Sequence, residues 1–171
     1  MIPKLPGGFS HPMRIGEGAF GSVVRARQQA LDRWVALKFI NEKNRYKRIE
    51  LLKEAKTQAK IKLDCIPQIY DAFEWKNSVC LVMQWIKGIP LSTLIESSLS
   101  VREKYDLALG FISSLANLHF LGFAHRDLKP ENILISPDNG IYLVDFGFTK
   151  DASEGQRSVS NTARGTPAYM A

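Results

Sequence analysis

His125-Arg126-Asp127-Leu128-Lys129-Pro130-Glu131-Asn132 places a carboxylate, a lysine and an amide within six residues. An eight-residue run of this identity does not arise by chance, and no other segment of the chain carries as much information. On its C-terminal side two short hydrophobic runs, 132–135 and 141–144, flank Ser136-Pro137-Asp138-Asn139-Gly140, a strong turn signal. Asp145-Phe146-Gly147 follows eighteen residues after Asp127. A polar, Ser/Thr-rich stretch then leads to Gly165-Thr166-Pro167-Ala168-Tyr169-Met170-Ala171.

On its N-terminal side the chain reads as helix. Ser100-Val101-Arg102-Glu103 is a capping box, with Ser100 at the N-cap and Glu103 at N3. Leu107, Phe111, Ile112, Leu115 and Leu118 follow at helical spacing, and Gly122 supplies a C-cap glycine. Residues 107–124 contain no Asp, Glu, Lys or Arg over 18 positions, which touches the length of a membrane span. Ser113, Ser114, Asn117 and His119 interrupt the stretch, so it is read as a buried core helix with His119 lining the core. Lys87-Gly88-Ile89-Pro90 breaks the pattern as a hinge.

Before that hinge the chain is strand-rich. Residues 22–27, 34–40, 69–74 and 79–86 read as strands; 28–33 is a hairpin connection and Asn77-Ser78 a turn. Residues 45–62 lack Gly and Pro and read as a helix whose narrow apolar stripe includes Ile49, Leu52 and Ala59. Lys53, Lys56, Lys60 and Lys62 form its solvated basic face, and Trp34, Phe73, Trp75 and Trp85 are read as packing residues. A strand-rich half, a hinge and a helix-led half make an α+β layout, not regular βαβ alternation.

Gly16-Glu17-Gly18-Ala19-Phe20-Gly21 is a GxGxxG motif, weak by itself. A dinucleotide-binding loop would open a helix. Here a strand follows, so the motif reads as a strand–loop–strand hairpin whose backbone amides can lie over a polyphosphate. No GxxxxGK[ST] is present. Lys38, twenty-two residues after Gly16, sits in the apolar strand Val35-Ala36-Leu37-Lys38, and the following helix offers acids to pair with it.

The 171 residues are 45% hydrophobic and 23% charged, near soluble globular averages, which excludes disordered, collagen-like and coiled-coil classes. A net charge of +6 favours acidic partners such as phosphates, nucleic acid or anionic membrane. Cys65 and Cys80 form no CxxC pair, so neither a disulfide framework nor a zinc site is expected. Both are read as buried, reduced thiols of a cytoplasmic protein.

From Ile15 to Ala171 these motifs together resemble the eukaryotic-type protein kinase family. Lys129, two residues after Asp127, and Thr166 in the GTPxY segment are similar to its serine/threonine branch. Glu54-Ala55-Lys56 and the segment 66–74 most resemble bacterial, especially cyanobacterial, members. The resemblance implies a kinase-like α+β fold: an antiparallel sheet lobe with one helix over 1–86, binding nucleotide, and an incomplete helical lobe over 87–171. It further implies ATP and Mg²⁺ as cofactors and transfer of the γ-phosphoryl to Ser/Thr hydroxyls of protein substrates. The solvated basic face of 45–62 makes a nucleic-acid partner the less favoured reading, and the interrupted apolar stretch makes no membrane span the expected one.

Residue by residue, the resemblance puts Gly16, Gly18 and Gly21 over the phosphates, with Ile15, Val23 and Ala36 above the adenine and Leu134 below it. Met83 takes the gatekeeper position, and Gln84 and Ile86 offer hinge backbone groups. Lys38 binds the α- and β-phosphates, held by Glu54, which fits the family's spacing to Pro67 better than Glu50. Asp127 accepts or orients the substrate hydroxyl, Lys129 stabilises the transferring phosphoryl, and Asn132 and Asp145 hold Mg²⁺. Such donors suit the task, since phosphoryl transfer needs positioning and charge neutralisation more than covalent chemistry.

Two departures from the family's pattern stand out. Gln58 takes a place normally apolar, and the sequence stops where family members continue with Pro-Glu and further helices. The second implies exposed apolar residues on the helix after Ser100, and a large lobe completed by a partner or a further segment. It leaves open a second reading, a weakly active or inactive fragment that holds nucleotide or protein. Thr162 is the favoured activating phosphosite, with Arg126 as its receiver and Ser153, Ser158 and Ser160 as looser candidates.

Overall fold

The computed structural model describes residues 4–18, 21–125 and 127–145. Arg126, Phe146, Gly147, Ser153, Ser158, Ser160, Thr162 and the Gly165–Ala171 segment lie outside these residues. The chain packs as two compact units. One holds the described residues through Ile61 together with Pro67–Trp85; the other holds Lys62–Ile66 and the described residues from Ile86 onward.

The first unit is a five-stranded antiparallel sheet and one helix. β1 (Phe9–Gly18), β2 (Gly21–Gln28), β3 (Arg33–Asn41), β4 (Ile69–Trp75) and β5 (Ser78–Gln84) lie in the order β1-β2-β3-β5-β4. The connection at 28–33 closes through a short 3-10 turn, with Asp32 in the left-handed region. Register decides which residues share a face, because side chains alternate along each strand. Val24, Ala26, Val35, Leu37, Phe39, Cys80 and Val82 form one buried cluster, and Leu5, Phe9, Phe73 and Trp75 pack against it. Each such aliphatic side chain, fully buried, contributes about 1.5–3 kcal/mol. Burial pushes the Cys80 thiol up to about 12 and raises that of Cys65, and both cysteines are free.

Phe73 and Trp75 therefore pack as expected. Trp34 and Trp85 do something more particular. They meet edge-to-face with centroids 6.3 Å apart, and the Arg25 guanidinium lies over both rings, 4.3 and 5.1 Å from their centroids.

α1 (Arg45–Gln58) begins at Asn44, whose side chain accepts from the Tyr46 and Lys47 amides. The expected apolar stripe is absent: Ile49 is exposed, Leu52 is half-buried, Ala59 lies at the C-cap, and the buried residues of the helix are Arg48 and Ala55. Fourteen residues carrying three lysines and two arginines leave too few apolar side chains for a stripe, so a buried arginine takes the inward position instead. Lys53, Lys56, Lys60 and Lys62 are exposed, as expected.

In the second unit, β6 (Ile89–Pro90), β7 (Ile133–Ile135) and β8 (Ile141–Leu143) form an antiparallel sheet, joined by α2 (Leu91–Ile95) and α3 (Val101–Phe120). The breaker at 87–90 thus leads into a two-residue strand paired with β7 and then a short helix, neither of which its turn signals announced. The capping box forms as read: Glu103 N–H donates to Ser100 Oγ, while the Glu103 carboxylate accepts from the Ser100 N–H at 2.8 Å. The Ser100 hydroxyl, which donates to the same carboxylate at 2.7 Å, and then the Ser100 N–H hold the Glu103 carboxyl below its usual range. At the other end Gly122 adopts φ +80°, and Phe123 and Gly122 N–H donate to Leu118 and His119 carbonyls, which closes the last turn.

α3 is not a buried core helix. Leu118 is its buried residue, while Val101, Tyr105, Leu109, Ile112 and Phe120 are exposed, in keeping with the exposed apolar residues expected for it. His119 is exposed too, so it does not line the core; Leu118 occupies that face. Among the described residues no helix is long and apolar enough to cross a membrane.

Candidate active site

Within the first unit the register gathers most residues assigned to nucleotide. Gly16 pairs with Val23 and Val23 with Lys38, so these three stand in one row across β1, β2 and β3. Two residues along, Arg25 pairs with Ala36 and Ala36 with Met83. By strand alternation Val23, Ala36, Lys38 and Met83 share the sheet face opposite the Val24–Leu37–Val82 cluster. Ile15 sits where the β1–β2 register shifts, between Arg14 and Gly16. Gln84 ends β5, its N–H bonded to Gln68 O at 2.8 Å. Glu54 is half-buried on α1.

The glycines differ in what fixes them. Gly21 has φ +148°, and a Cβ there would lie 1.7 Å from Phe39 O. At Gly16 a Cβ would make only ordinary contact, 3.6 Å from Val23 Cβ, so protein packing does not demand glycine at that position. Gly18 pairs with Gly21 at the end of the β1–β2 ladder.

Within the second unit the loop before β7 is tied together by polar contacts. Lys129 Nζ is 3.1 Å from Asp127 Oδ2. Asn132 is buried, and its Nδ2 donates both to Asp127 O (2.8 Å) and to Asp127 Oδ2 (3.0 Å). Pro130 starts the 3-10 turn Pro130–Asn132 that delivers Asn132 to this place. Val144 N–H donates to Asn132 O at 2.9 Å, which brings Asp145 one residue beyond a direct backbone link to Asn132. Asp145 itself is exposed and held at φ +57°, an uncommon conformation for a non-glycine residue. Leu134 lies in β7 between Pro90 and Tyr142, and Ile86 begins the stretch leading to β6.

The sequence reading gave His125 no role. The structure buries it at 1% exposure, with Nε2 2.8 Å from Val144 O, so its ring links the Asp127 loop to the residue before Asp145. The signal was its place at the head of the 125–132 run, since a histidine buried that deeply needs a polar partner.

Asn132 and Asp127 are held together by two contacts from the Asn132 amide. With both amide N–H groups of Asn132 directed at Asp127, its Oδ1 is the atom left to accept or ligate. Among the described residues no group of three or more His, Cys, Asp or Glu could hold a metal ion. A hard cation here would be bound by an amide and a carboxylate and share its remaining sites with ligand or solvent oxygens, the mode typical of Mg²⁺.

The family model described as "Protein kinase domain" matches residues 9–171. The chain is 33% identical over 175 residues to "Probable serine/threonine-protein kinase pknA2" of Bifidobacterium longum, covering 98% of this chain and 23% of that protein. It is 36% identical over 178 residues to human "Serine/threonine-protein kinase ULK1", covering 95% and 17%. Against human "Serine/threonine-protein kinase H1" it is 30% identical over 174 residues, covering 99% and 41%. It thus spans less than half the length of each of these relatives and under a quarter of the first two. The match extends over nearly the whole chain, and the chain belongs to the protein kinase domain family.

Proposed function

We propose that this chain serves a serine/threonine protein kinase that transfers the γ-phosphoryl group of ATP to Ser/Thr hydroxyls of proteins. The observation that carries the reading is the Asp127–Lys129–Asn132 set, linked through Val144 to Asp145. In it a carboxylate that can orient a hydroxyl and accept its proton sits 3.1 Å from a lysine that can neutralise charge on the group being transferred. Residues 1–86 would hold the nucleotide and 87–171 the catalytic loop.

Mg²⁺, when bound, would neutralise phosphate charge; Asn132 Oδ1 and the Asp145 carboxylate would hold it, and both are hard oxygen donors. Lys38, positioned by Glu54, would bind the α- and β-phosphates. Gly16, Gly18 and Gly21 would let backbone amides approach them, and the freedom from packing demand at Gly16 supports a ligand-driven reason for glycine there. In the first unit Ile15, Val23, Ala36, Met83 and the Gln84 backbone would contact the adenine, and in the second Leu134 and the Ile86 backbone are its proposed contacts. A cytoplasmic location belongs to this reading, supported by two thiols that the fold leaves unbridged.

The test is incubation with Mg²⁺ and γ-labelled ATP plus a mixed basic protein substrate, on this chain and on a version extended past Ala171, followed by phosphoamino acid analysis. Label on serine and threonine supports the proposal. Label on tyrosine alone, or none with either version, overturns it.

A further inference from the structure

α1 is attached to the sheet in an unusual way. Its buried residues are Arg48 and Ala55, and Leu51 and Leu52 are only half-buried, so little apolar burial is left to fix a fourteen-residue helix. The attachment at its N-terminal end is polar. Arg48 Nε donates to Glu74 Oε2 at 2.8 Å, and Arg48 Nη1 donates to the carbonyls of Glu42 (3.0 Å) and Lys43 (2.9 Å). One guanidinium therefore joins β4 to the linker between β3 and α1. The same linker is organised from within, since Asn44 N–H donates to Glu42 Oε1 at 2.8 Å and Asn44 caps the helix. At the C-terminal end, Gln68 Nε2 donates to Ala59 O at 3.1 Å.

Arg48 is about nine-tenths covered, whereas the Glu74 side chain keeps 39% of its surface. Such a charged, fork-shaped donor to one carboxylate and two carbonyls is directional, so it fixes the helix end in rotation as well as distance.

We propose that Arg48 is a positioning residue for phosphoryl transfer. Through Glu74 and the two linker carbonyls it clamps the first turns of α1 on β4, and so sets the place of Glu54, six residues further along the helix. This rests on the kinase reading for its consequence in turnover, but not for the clamp itself.

The experiment combines amide hydrogen exchange with steady-state kinetics on the full chain, or on the version extended past Ala171 if only that one transfers phosphate. The variants are Arg48→Met, Arg48→Lys, Arg48→Glu and the exchanged pair Arg48→Glu/Glu74→Arg. Arg48→Met is expected to speed exchange across 45–58 by about tenfold with β2, β3 and β5 unchanged. It should lower kcat about 10- to 100-fold while KM for ATP stays within about threefold, since a displaced positioning group costs rate without removing binding contacts. Arg48→Lys, which keeps the charge, should regain part of kcat, and the exchanged pair should exceed Arg48→Glu alone.

Unchanged exchange over 45–58, or exchange raised equally through all five strands, would overturn the clamp. A faster-exchanging α1 with unaltered kcat would overturn the positioning role. Absence of transfer in the unsubstituted protein would instead strike the kinase reading, while the exchange data would still decide the clamp.

Discussion

Asp127→Ala is expected to lower phosphate transfer by about 10³-fold, within the range for loss of a positioned general base, while the affinity for ATP changes less than about threefold. The carboxylate touches Lys129 Nζ and Asn132 Nδ2, so its removal frees two donors at once. Asn132 nonetheless keeps its bond to the Asp127 carbonyl, which any side chain at 127 preserves, and Val144 still donates to Asn132 O. The loop should therefore survive and binding with it. The check is a pairing of single-turnover transfer with an equilibrium nucleotide titration on the same preparation. Turnover equal to that of the parent would remove Asp127 from the mechanism; loss of binding in proportion to rate would make its role structural.

Gly21→Ala is expected to be the most damaging single-methyl change in the described chain. A Cβ there would stand 1.7 Å from Phe39 O and 2.9 Å from its carbonyl carbon, both backbone atoms of the paired strand. No rotamer relieves such a clash, and φ +148° strains an L-residue in addition. β2 and β3 would have to separate where Gly21 pairs with Ile40, at the edge of the Phe39 core. A cost of at least about 3 kcal/mol follows, read as a fall in Tm of about 6–12 °C. Gly16→Ala is the control. Its Cβ finds Val23 at 3.6 Å, so thermal stability should hold while nucleotide affinity falls. Equal melting of Gly21→Ala and the parent would contradict the backbone argument.

Signals that act over a few residues were legible in the sequence. The Ser100/Glu103 box, the Gly122 terminus and the turn at 136–140 each contain their own partners within four residues, and each forms as read. The strands β2, β3 and β4 carry enough β-branched and aromatic side chains to declare themselves, although β5 stops at Gln84, two residues before the expected end. What failed depends on partners far along the chain. Arg48 meets Glu74 twenty-six residues away, so nothing near it showed that an arginine, and not Ile49 or Leu52, would face the sheet. Ile89 and Pro90 are a strand because β7 lies beside them, which overrides the breaker signal of Gly88 and Pro90. His119 was placed inward because it sits among apolar neighbours, yet a one-residue difference of about 100° around the helix gives that position to Leu118. In the site, the carboxylate–lysine–amide set was readable because 127–132 is contiguous. The tie from His125 to Val144 was not, since it needs the β7–β8 return to exist first.

The central proposal is that Asn132 and Asp145 hold the metal and that Lys38 and the glycines hold the phosphates of a bound nucleotide. A crystal structure of the chain with Mg²⁺ and a non-hydrolysable ATP analogue tests it most directly. The proposal predicts Mg²⁺ ligated by Asn132 Oδ1 and the Asp145 carboxylate, Lys38 Nζ on the α- and β-phosphates, and adenine against Val23 and Ala36. A nucleotide bound with its phosphates away from Lys38, or a metal that ignores Asn132 and Asp145, would contradict it.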